Sequence, residues 1–251
     1  LAAESHVDNS IKHHKNFINS NILGTYNLLN ISNEFTQKIN KKFIFYHIST
    51  DEVYGSLKYK EKSFMENDPY KPNSPYSASK AASDHLVRAW HKTFNLNVLI
   101  SHCSNNYGPW QKTEKLIPKI IECCLLKKKI PIYGDGKNIR DWIFVDDHID
   151  AILLILKKGK IGNSYNIGSN NEVSNIKIAN IITEILNDKI KSNINFKKLI
   201  NFVDDRKGHD FRYSVNTKKI NQLGFKPKFN LTNGLNHTIE WYLDNKNWFL
   251  K

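Results

Sequence analysis

A short, nearly continuous apolar run from Phe43 to Ile48 constrains the fold of this chain more than any other feature. Such a run, rich in residues that favour strands, suits a strand that is buried on both faces, as in a parallel sheet. Two further candidate strands lie at 97–103 and 165–168. Segments with helical spacing alternate with them, at 16–35, 77–94, 116–126, 147–156 and 176–186. This alternation predicts βαβ units and a parallel sheet, with 187–201 as a surface connection.

Composition sets the size and limits the partners. The chain has 251 residues, 40% of them hydrophobic, which suffices for one large α/β domain or two smaller ones. Its net charge of +13 raises the question of an anionic partner. Sequence-specific DNA recognition favours the bidentate fork of arginine, but only four of the 37 basic residues are arginines. We interpret the charge as compositional and expect no nucleic-acid partner.

The cysteines and the hydropathy pattern indicate the compartment. Cys103, Cys123 and Cys124 form neither an even disulfide framework nor a metal-ligand spacing, so we expect no metal and a reducing environment. No apolar run approaches the roughly 20 residues of a membrane span, and no charged-then-apolar leader opens the sequence. These features predict a cytoplasmic protein without a membrane partner.

Tyr76 and Lys80 are the strongest candidates for catalysis. Positions i and i+4 of a helix lie on one face, so the two side chains converge. A phenol with a pKa near ~10 is a poor base at neutral pH unless a cation stabilises the phenolate. Lys80 supplies such a cation, and a bound, positively charged nicotinamide would add to its effect. The same Tyr-x-x-x-Lys spacing also arises by chance in helices.

A polar heptapeptide, residues 49–55, follows the first predicted strand and begins Ser49-Thr50-Asp51-Glu52. Ligands of open parallel sheets bind outside the carboxyl ends of the strands, which is where these side chains are expected. Ser, Thr and Asp are also preferred helix N-caps. Capping would account for Ser49 or Thr50, but not for two adjacent carboxylates close to the Tyr/Lys pair.

Together these residues resemble the extended short-chain dehydrogenase/reductase family, and within it the dTDP-glucose 4,6-dehydratases. The Tyr/Lys pair marks only the superfamily, whereas the Thr-Asp-Glu triplet narrows the resemblance to sugar-nucleotide 4,6-dehydratases. The resemblance covers nearly the whole chain. The matching segments are 1–8, 49–55, 73–80, 104–109, 114–118, 139–142, 165–168 and 205–210, with Lys207 in place of the family's usual proline.

The resemblance implies NAD as the cofactor and a dehydration in three steps. Tyr76 is expected to be the base at sugar C4, with Lys80 lowering its pKa and Thr50 bonding the C4 oxygen. Glu52 is then expected to take the C5 proton while Asp51 protonates the C6 hydroxyl, which leaves as water. Neighbouring carboxyls in a dry site tend to split their pKa values, so Asp51 is expected to be neutral and Glu52 ionised. The expected product is a 4-keto-6-deoxy sugar.

The resemblance also assigns binding residues for the cofactor and for a nucleotide-sugar substrate. Besides Tyr76 and Lys80, the cofactor-lining positions are Leu1, Ala2, Ala3, Glu4, Ser5, Ser20 and Asn106. Arginine suits the diphosphate because its planar fork matches phosphate oxygens. The expected substrate-binding residues are Ser5, Thr50, Asn105, Lys115, Leu116, Pro131, Tyr133, Arg140, Asn175, Arg206 and His209.

The implied fold is α/β, a Rossmann-like parallel sheet with a smaller C-terminal α/β substrate-binding domain. Residues 1–106 and 141–168 are assigned to the NAD-binding domain, and 107–140 and 169–251 to the nucleotide-sugar domain. The first residues match the end of the family's fourth strand, so we expect an N-terminally truncated chain without the Gly-rich phosphate turn and first strands. The helices at 16–35 and 77–94 match those that form the family's homodimer, which is therefore expected here.

Three alternatives stay open from the sequence. UDP-glucose or CDP-glucose would fit the same motifs as dTDP-glucose. A truncated chain would also be compatible with a non-catalytic remnant that acts only as a partner subunit. A basic nucleic-acid binder is the third alternative, and the scarcity of arginine and the acid pair argue against it.

Overall fold

The computed structural model describes residues 3–38 and 43–249. Its central sheet has the strand order β1-β2-β6, and both pairings are parallel, which confirms the predicted parallel sheet. The register places Thr50 beside Cys103, and Cys103 beside Ile167, so these three strands end together. The strands of this sheet are β1 (Phe45–Thr50), β2 (Val98–Cys103) and β6 (Ser164–Ile167).

Two smaller sheets accompany the central one. One has the order β3-β5-β7, with a parallel and an antiparallel pairing, and the other pairs β4 with β8 in parallel. The strands are β3 (Asn105–Tyr107), β4 (Ile130–Tyr133), β5 (Ile139–Phe144), β7 (Glu172–Ser174) and β8 (Ile200–Val203). The predicted surface connection at 187–201 is shorter, between Lys189 at the end of α7 and Ile200 at the start of β8, and of its residues only Phe196, in a 3-10 turn, is buried.

The five predicted helical segments are found close to their expected positions, whereas α1, α8, α9 and α10 were not predicted. The segment predicted as one helix over 16–35 divides into α2, a π-helical stretch at Ile18–Leu23, and α3. No helix in the described part of the chain is long and apolar enough to cross a membrane. The α-helices are α1 (Val7–Lys12), α2 (His14–Phe17), α3 (Gly24–Lys38), α4 (Pro75–Phe94), α5 (Leu116–Leu125), α6 (Val145–Lys158), α7 (Asn175–Lys189), α8 (Lys218–Gln222), α9 (Leu231–Asp244) and α10 (Lys246–Phe249).

Two apolar clusters hold the site elements in place. Leu99 of β2, Ile155 of α6 and Ile167 of β6 are fully buried in a cluster at the central sheet. A larger cluster packs α5, α7 and α9 around β4 and β5, and in it Ile178 and Ile182 repeat at helical spacing. The carboxyl ends of β1 and β2, and strands β3 and β5, are thereby fixed by packing rather than by loops.

Candidate functional site

Helix α4 begins at a position that sends Tyr76 and Lys80 inward. Ser74 is its N-cap, and Ser74 and Ser77 form a reciprocal capping box with hydroxyl-to-amide distances of 3.1 Å. Pro75 occupies the first turn, where its missing N–H costs nothing. Tyr76 is 9% exposed and Lys80 6%, so both polar ends lie inside the protein.

The acid pair sits in a 3-10 turn, Asp51–Tyr54, directly after β1. Thr50 caps this turn, and its hydroxyl accepts a hydrogen bond from the Glu52 amide at 3.3 Å. The turn ends at Gly55, whose φ is +92° and where a Cβ would lie 2.4 Å from the Lys71 carbonyl oxygen. Only glycine fits that position, so the sequence fixes where Asp51 and Glu52 point. The capping interpretation of Thr50 is therefore correct, and the cap stabilises the turn that contains Asp51 and Glu52.

Tyr76 and the acid turn form one electrostatic cluster. Burial raises the pKa of Tyr76 well above its ordinary value, and the charges of Glu52 and Cys103 raise it further. A hydrogen bond with Thr50 opposes this rise. The leading influences on the pKa of Tyr76 do not include Lys80, whose Nζ donates to the Ile48 carbonyl at 2.7 Å. That Lys80 lowers the pKa of Tyr76 stays a prediction.

The two acids differ in their surroundings. Burial raises the pKa of Asp51 well above its ordinary value, and the neighbouring charge of Glu52 adds to the rise. Burial also raises the pKa of Glu52, but Arg206, Arg140 and Lys115 all act to lower it. Arg140 also acts to lower the pKa of Asp51, but three cations do so at Glu52, so Asp51 is the acid of the pair that is more readily protonated.

A cavity of about 390 Å³ opens beside Glu52. Ten of the eleven expected substrate-binding residues line it; Thr50 is the exception and lies behind Glu52 among the buried side chains. Further lining residues include His6, Asp8, Gln111, Trp142 and Tyr213. The expected residues at the cavity are Ser5, Asn105, Lys115, Leu116, Pro131, Tyr133, Arg140, Asn175, Arg206 and His209.

Three cations point to an anionic ligand for this cavity. The buried Arg140 donates to the carbonyls of Ile139 at 2.7 Å and Asp210 at 2.9 Å, and forms no ion pair within the described residues. Arg206 Nη1 is 3.9 Å from Asp8 Oδ1, and Lys115 Nζ donates to the Ser5 carbonyl at 2.6 Å. Arg140 and Lys115 thus donate to neutral acceptors, and Arg206 has only a long contact with Asp8, which favours binding of an anion.

The expected cofactor-lining residues form two groups, one connected to α4 through Asn21 and one at the cavity. Asn21 joins Glu4 to α4: it accepts from the Glu4 amide at 3.0 Å and donates to Ser79 Oγ at 2.9 Å. Ser5 and Asn106 line the cavity. Ala3 and Ser20 are outside the cavity lining, in segments adjoining Glu4 and Asn21. Leu1 and Ala2 are beyond the described residues.

Sequence reasoning missed Tyr213 and Asp8. The hydroxyl of Tyr213 is 3.2 Å from Glu52 Oε2 and 2.6 Å from Asp210 Oδ2, and the Arg140 guanidinium stacks 4.1 Å from the ring centroid. Asp8 pairs with Arg206 and accepts from the Tyr133 hydroxyl at 2.8 Å. Both residues are in or close to the segments that carry the resemblance, but nothing in their spacing indicates these contacts.

A parallel sheet with a buried Tyr/Lys helix and a cation-lined cavity at its carboxyl edge defines an extended short-chain dehydrogenase/reductase. A family model described as GDP-mannose 4,6 dehydratase matches residues 1–238. The dTDP-glucose 4,6-dehydratase of Haemophilus influenzae is 48% identical over 254 residues, covering 98% of this chain and 75% of that protein.

Solved structures agree with these matches. A dTDP-glucose 4,6-dehydratase from Streptomyces venezuelae with NAD bound has a TM-score of 0.91 and 41% identity, covering 99% of this chain and 73% of that chain. That of Bacillus anthracis, in complex with NAD, has a TM-score of 0.85 and 41% identity, with coverages of 100% and 73%. The chain belongs to this dehydratase family, within the group of dTDP-glucose 4,6-dehydratases.

Proposed function

We propose that this chain converts dTDP-glucose to dTDP-4-keto-6-deoxyglucose and water. The observation that carries the proposal is the single cluster formed by Tyr76, Thr50 and the acid pair, with Glu52 facing the cation-lined cavity. The relatives' names supply the substrate, and the cavity supplies cations for its diphosphate. Without acids beside the Tyr/Lys helix, the chain would be equipped only for oxidation or epimerisation.

The side chains divide the proton movements among themselves. Tyr76 takes the proton of the C4 hydroxyl, while the Thr50 hydroxyl bonds the same oxygen. Glu52 removes the C5 proton, made acidic by the C4 ketone, and Asp51 gives its proton to the C6 hydroxyl. The C6–O bond breaks, water leaves, and the C5–C6 double bond forms. When C6 is reduced, Glu52 returns its proton to C5, and the proton that Tyr76 took restores Asp51. The raised pKa of Asp51 suits a proton donor, and the cations around Glu52 suit a base.

The residues around α4 fit NAD as the cofactor. Asn106 Oδ1 is buried and has no hydrogen-bond partner among the described residues, and Lys80 and Tyr76 bring polar ends to the same edge of the sheet. Ala3, Glu4 and Ser5, tied to α4 through Asn21, would hold it from the other side. Bound NAD supplies the oxidation at C4, the matching reduction at C6 and, when oxidised, a positive charge that favours the phenolate of Tyr76.

We also propose that the chain forms a homodimer in the cytoplasm. Large apolar side chains of α3 face solvent: Leu28 is 54% exposed, Ile31 62% and Phe35 47%. Contiguous exposed apolar surface of this kind marks a protein interface. Sedimentation of the chain and of Ile31→Glu tests this: the variant is expected to sediment as a monomer, and equal sedimentation of both contradicts the proposal.

The activity test supplies NAD and three substrates in parallel. The 4-keto product, detected by its absorbance in alkali, is expected with dTDP-glucose and with much lower yield from UDP-glucose and CDP-glucose. Equal turnover of the three would contradict the nucleotide assignment. No product from any of them, together with no rise in melting temperature on adding NAD, would favour a non-catalytic chain.

A further inference from the structure

A buried carboxylate that the proposed mechanism does not use lies on the catalytic helix. Asp84 follows Lys80 by one turn of α4, and none of its surface is exposed. A buried charge is costly unless several polar partners satisfy it. Asp84 Oδ2 has three such partners: Ser49 Oγ at 2.9 Å, Tyr70 Oη at 2.9 Å and His102 Nε2 at 3.1 Å. His47 Nε2 lies 3.1 Å from the other oxygen, Oδ1.

These partners come from the elements that must be aligned for catalysis. Ser49 precedes Thr50 at the end of β1, and His102 precedes Cys103 at the end of β2. Asp84 therefore joins the helix of Tyr76 and Lys80 to the strand that carries the acid pair. The Tyr70 hydroxyl, which accepts a hydrogen bond from Arg88 Nη2 at 3.0 Å, completes the cluster.

The charge of Asp84 also influences the pKa of Lys80. Burial alone would raise the pKa of Asp84, but the hydrogen bonds of His102 and His47 hold it below its ordinary value, so the carboxylate is ionised. Burial lowers the pKa of Lys80, and the charge of Asp84 is the largest opposing influence. His47 is kept neutral because burial lowers its pKa. Asp84 is thus the anion that balances the buried ammonium group.

We propose that Asp84 is a positioning residue for the dehydration: its carboxylate ties α4 to β1 and β2 and places a negative charge one helical turn from Lys80. This inference rests on the proposed function, because it assumes that Tyr76 and Lys80 act in turnover. Asp84 touches no reacting atom and acts only through Lys80, Ser49 and the two strands.

The test compares Asp84→Asn with Asp147→Asn. Asp147 is an equally buried helical carboxylate, but it accepts from the amides of Lys228 at 2.8 Å and Phe229 at 3.1 Å, outside the site. Lys80 is titrated by NMR in chain labelled with ¹³C-lysine, its signal assigned by its loss in Lys80→Arg. We expect the midpoint of Lys80 to fall by about one pH unit in Asp84→Asn and to stay constant in Asp147→Asn.

Turnover gives the second measurement. Both variants are expected to melt at lower temperature, but only Asp84→Asn is expected to lose about tenfold in kcat at an unchanged KM. An unchanged Lys80 midpoint in a folded Asp84→Asn chain overturns the proposal. If Asp84→Asn does not fold, Ser49→Ala and Tyr70→Phe each remove one hydrogen bond to Asp84 and keep its charge; Tyr70→Phe also removes the contacts with His102 and Arg88. They are expected to lower kcat several-fold, and wild-type kcat in both overturns the positioning role.

The two proposals fail in different ways. A wild-type chain that forms no 4-keto product, but whose Lys80 midpoint still depends on Asp84, contradicts the proposed function and supports the role of Asp84 at Lys80. A chain that turns over normally with an Asp84-independent Lys80 contradicts only the present inference.

Discussion

The buried cluster around Tyr76 and the cavity beside it differ in how far their charged side chains are buried. Around Tyr76, the side chains of Thr50, Asp51 and Lys80 are at most 6% exposed, and desolvation is the first influence on each titrating group. In the cavity, Arg206 and Lys115 remain partly exposed; Lys115 donates to a neutral carbonyl, and Arg206 has a 3.9 Å contact with Asp8. The comparison separates proton chemistry at buried side chains from anion recognition by cations that are in part accessible.

The largest effect is expected from Tyr76→Phe. Removing the hydroxyl deletes the base at C4, so kcat should fall by about 10³-fold or more while substrate binding is retained. Steady-state kinetics and a direct binding measurement check this. Tyr107→Phe, at a buried tyrosine whose hydroxyl donates to the Leu231 carbonyl at 3.5 Å, is the control and should keep normal turnover. Equal loss of kcat in both variants would contradict the division between the two regions.

Glu52→Gln tests the border between the regions, since Glu52 belongs to the cluster and also faces the cavity. The glutamine cannot accept the C5 proton, so kcat should fall by about 10²-fold. Oxidation at C4 precedes that step, so reduced cofactor should accumulate and be visible by its absorbance. Glu66→Gln is the matched control, because Glu66 is buried but accepts from the Asn166 amide at 3.0 Å, away from the cavity. Full turnover of Glu52→Gln would remove it as the C5 base.

Arg206→Gln tests the cavity. Loss of a charged contact to a diphosphate costs about 1.5–3 kcal/mol, which corresponds to a KM roughly ten- to a hundredfold higher. Because Arg206 is expected to bind the diphosphate and not to take part in proton transfer, kcat should change much less. The control is Arg212→Gln, at a buried arginine that pairs with Glu172 at 2.6 Å outside the cavity; it should lower the melting temperature without raising KM. If Arg206→Gln lowered kcat and left KM unchanged, Arg206 would act in the reaction steps and not in substrate binding.

The spacing of residues along the sequence predicted much of this arrangement. The remaining features depend on contacts between segments that are distant in the sequence. The apolar runs and helical spacing predicted β1, β2 and α4, and the helical spacing of Tyr76 and Lys80 placed both on one helix. The direction of the Tyr76 pKa was not predictable, because desolvation depends on packing from distant segments. Tyr213 reaches Glu52 across 161 residues of sequence, and His102 reaches Asp84 from another element. Three-residue strands such as β3 and β7 are too short to show a period.

The smallest expected effect is the response to salt, and it separates the two regions without a mutation in the buried cluster. Salt screens the attraction between accessible cations and a diphosphate, so the attraction acts over a shorter distance at higher ionic strength. Interactions between buried charges are screened much less. Raising the ionic strength from low to physiological values should therefore lower kcat/KM several-fold and leave kcat nearly constant. Arg206→Gln should weaken that dependence, because one of the attracting charges is gone, while Arg212→Gln should retain it. A salt-dependent kcat of equal size would mean that the buried cluster and the cavity share one electrostatic environment, and the distinction between chemistry and recognition would not hold.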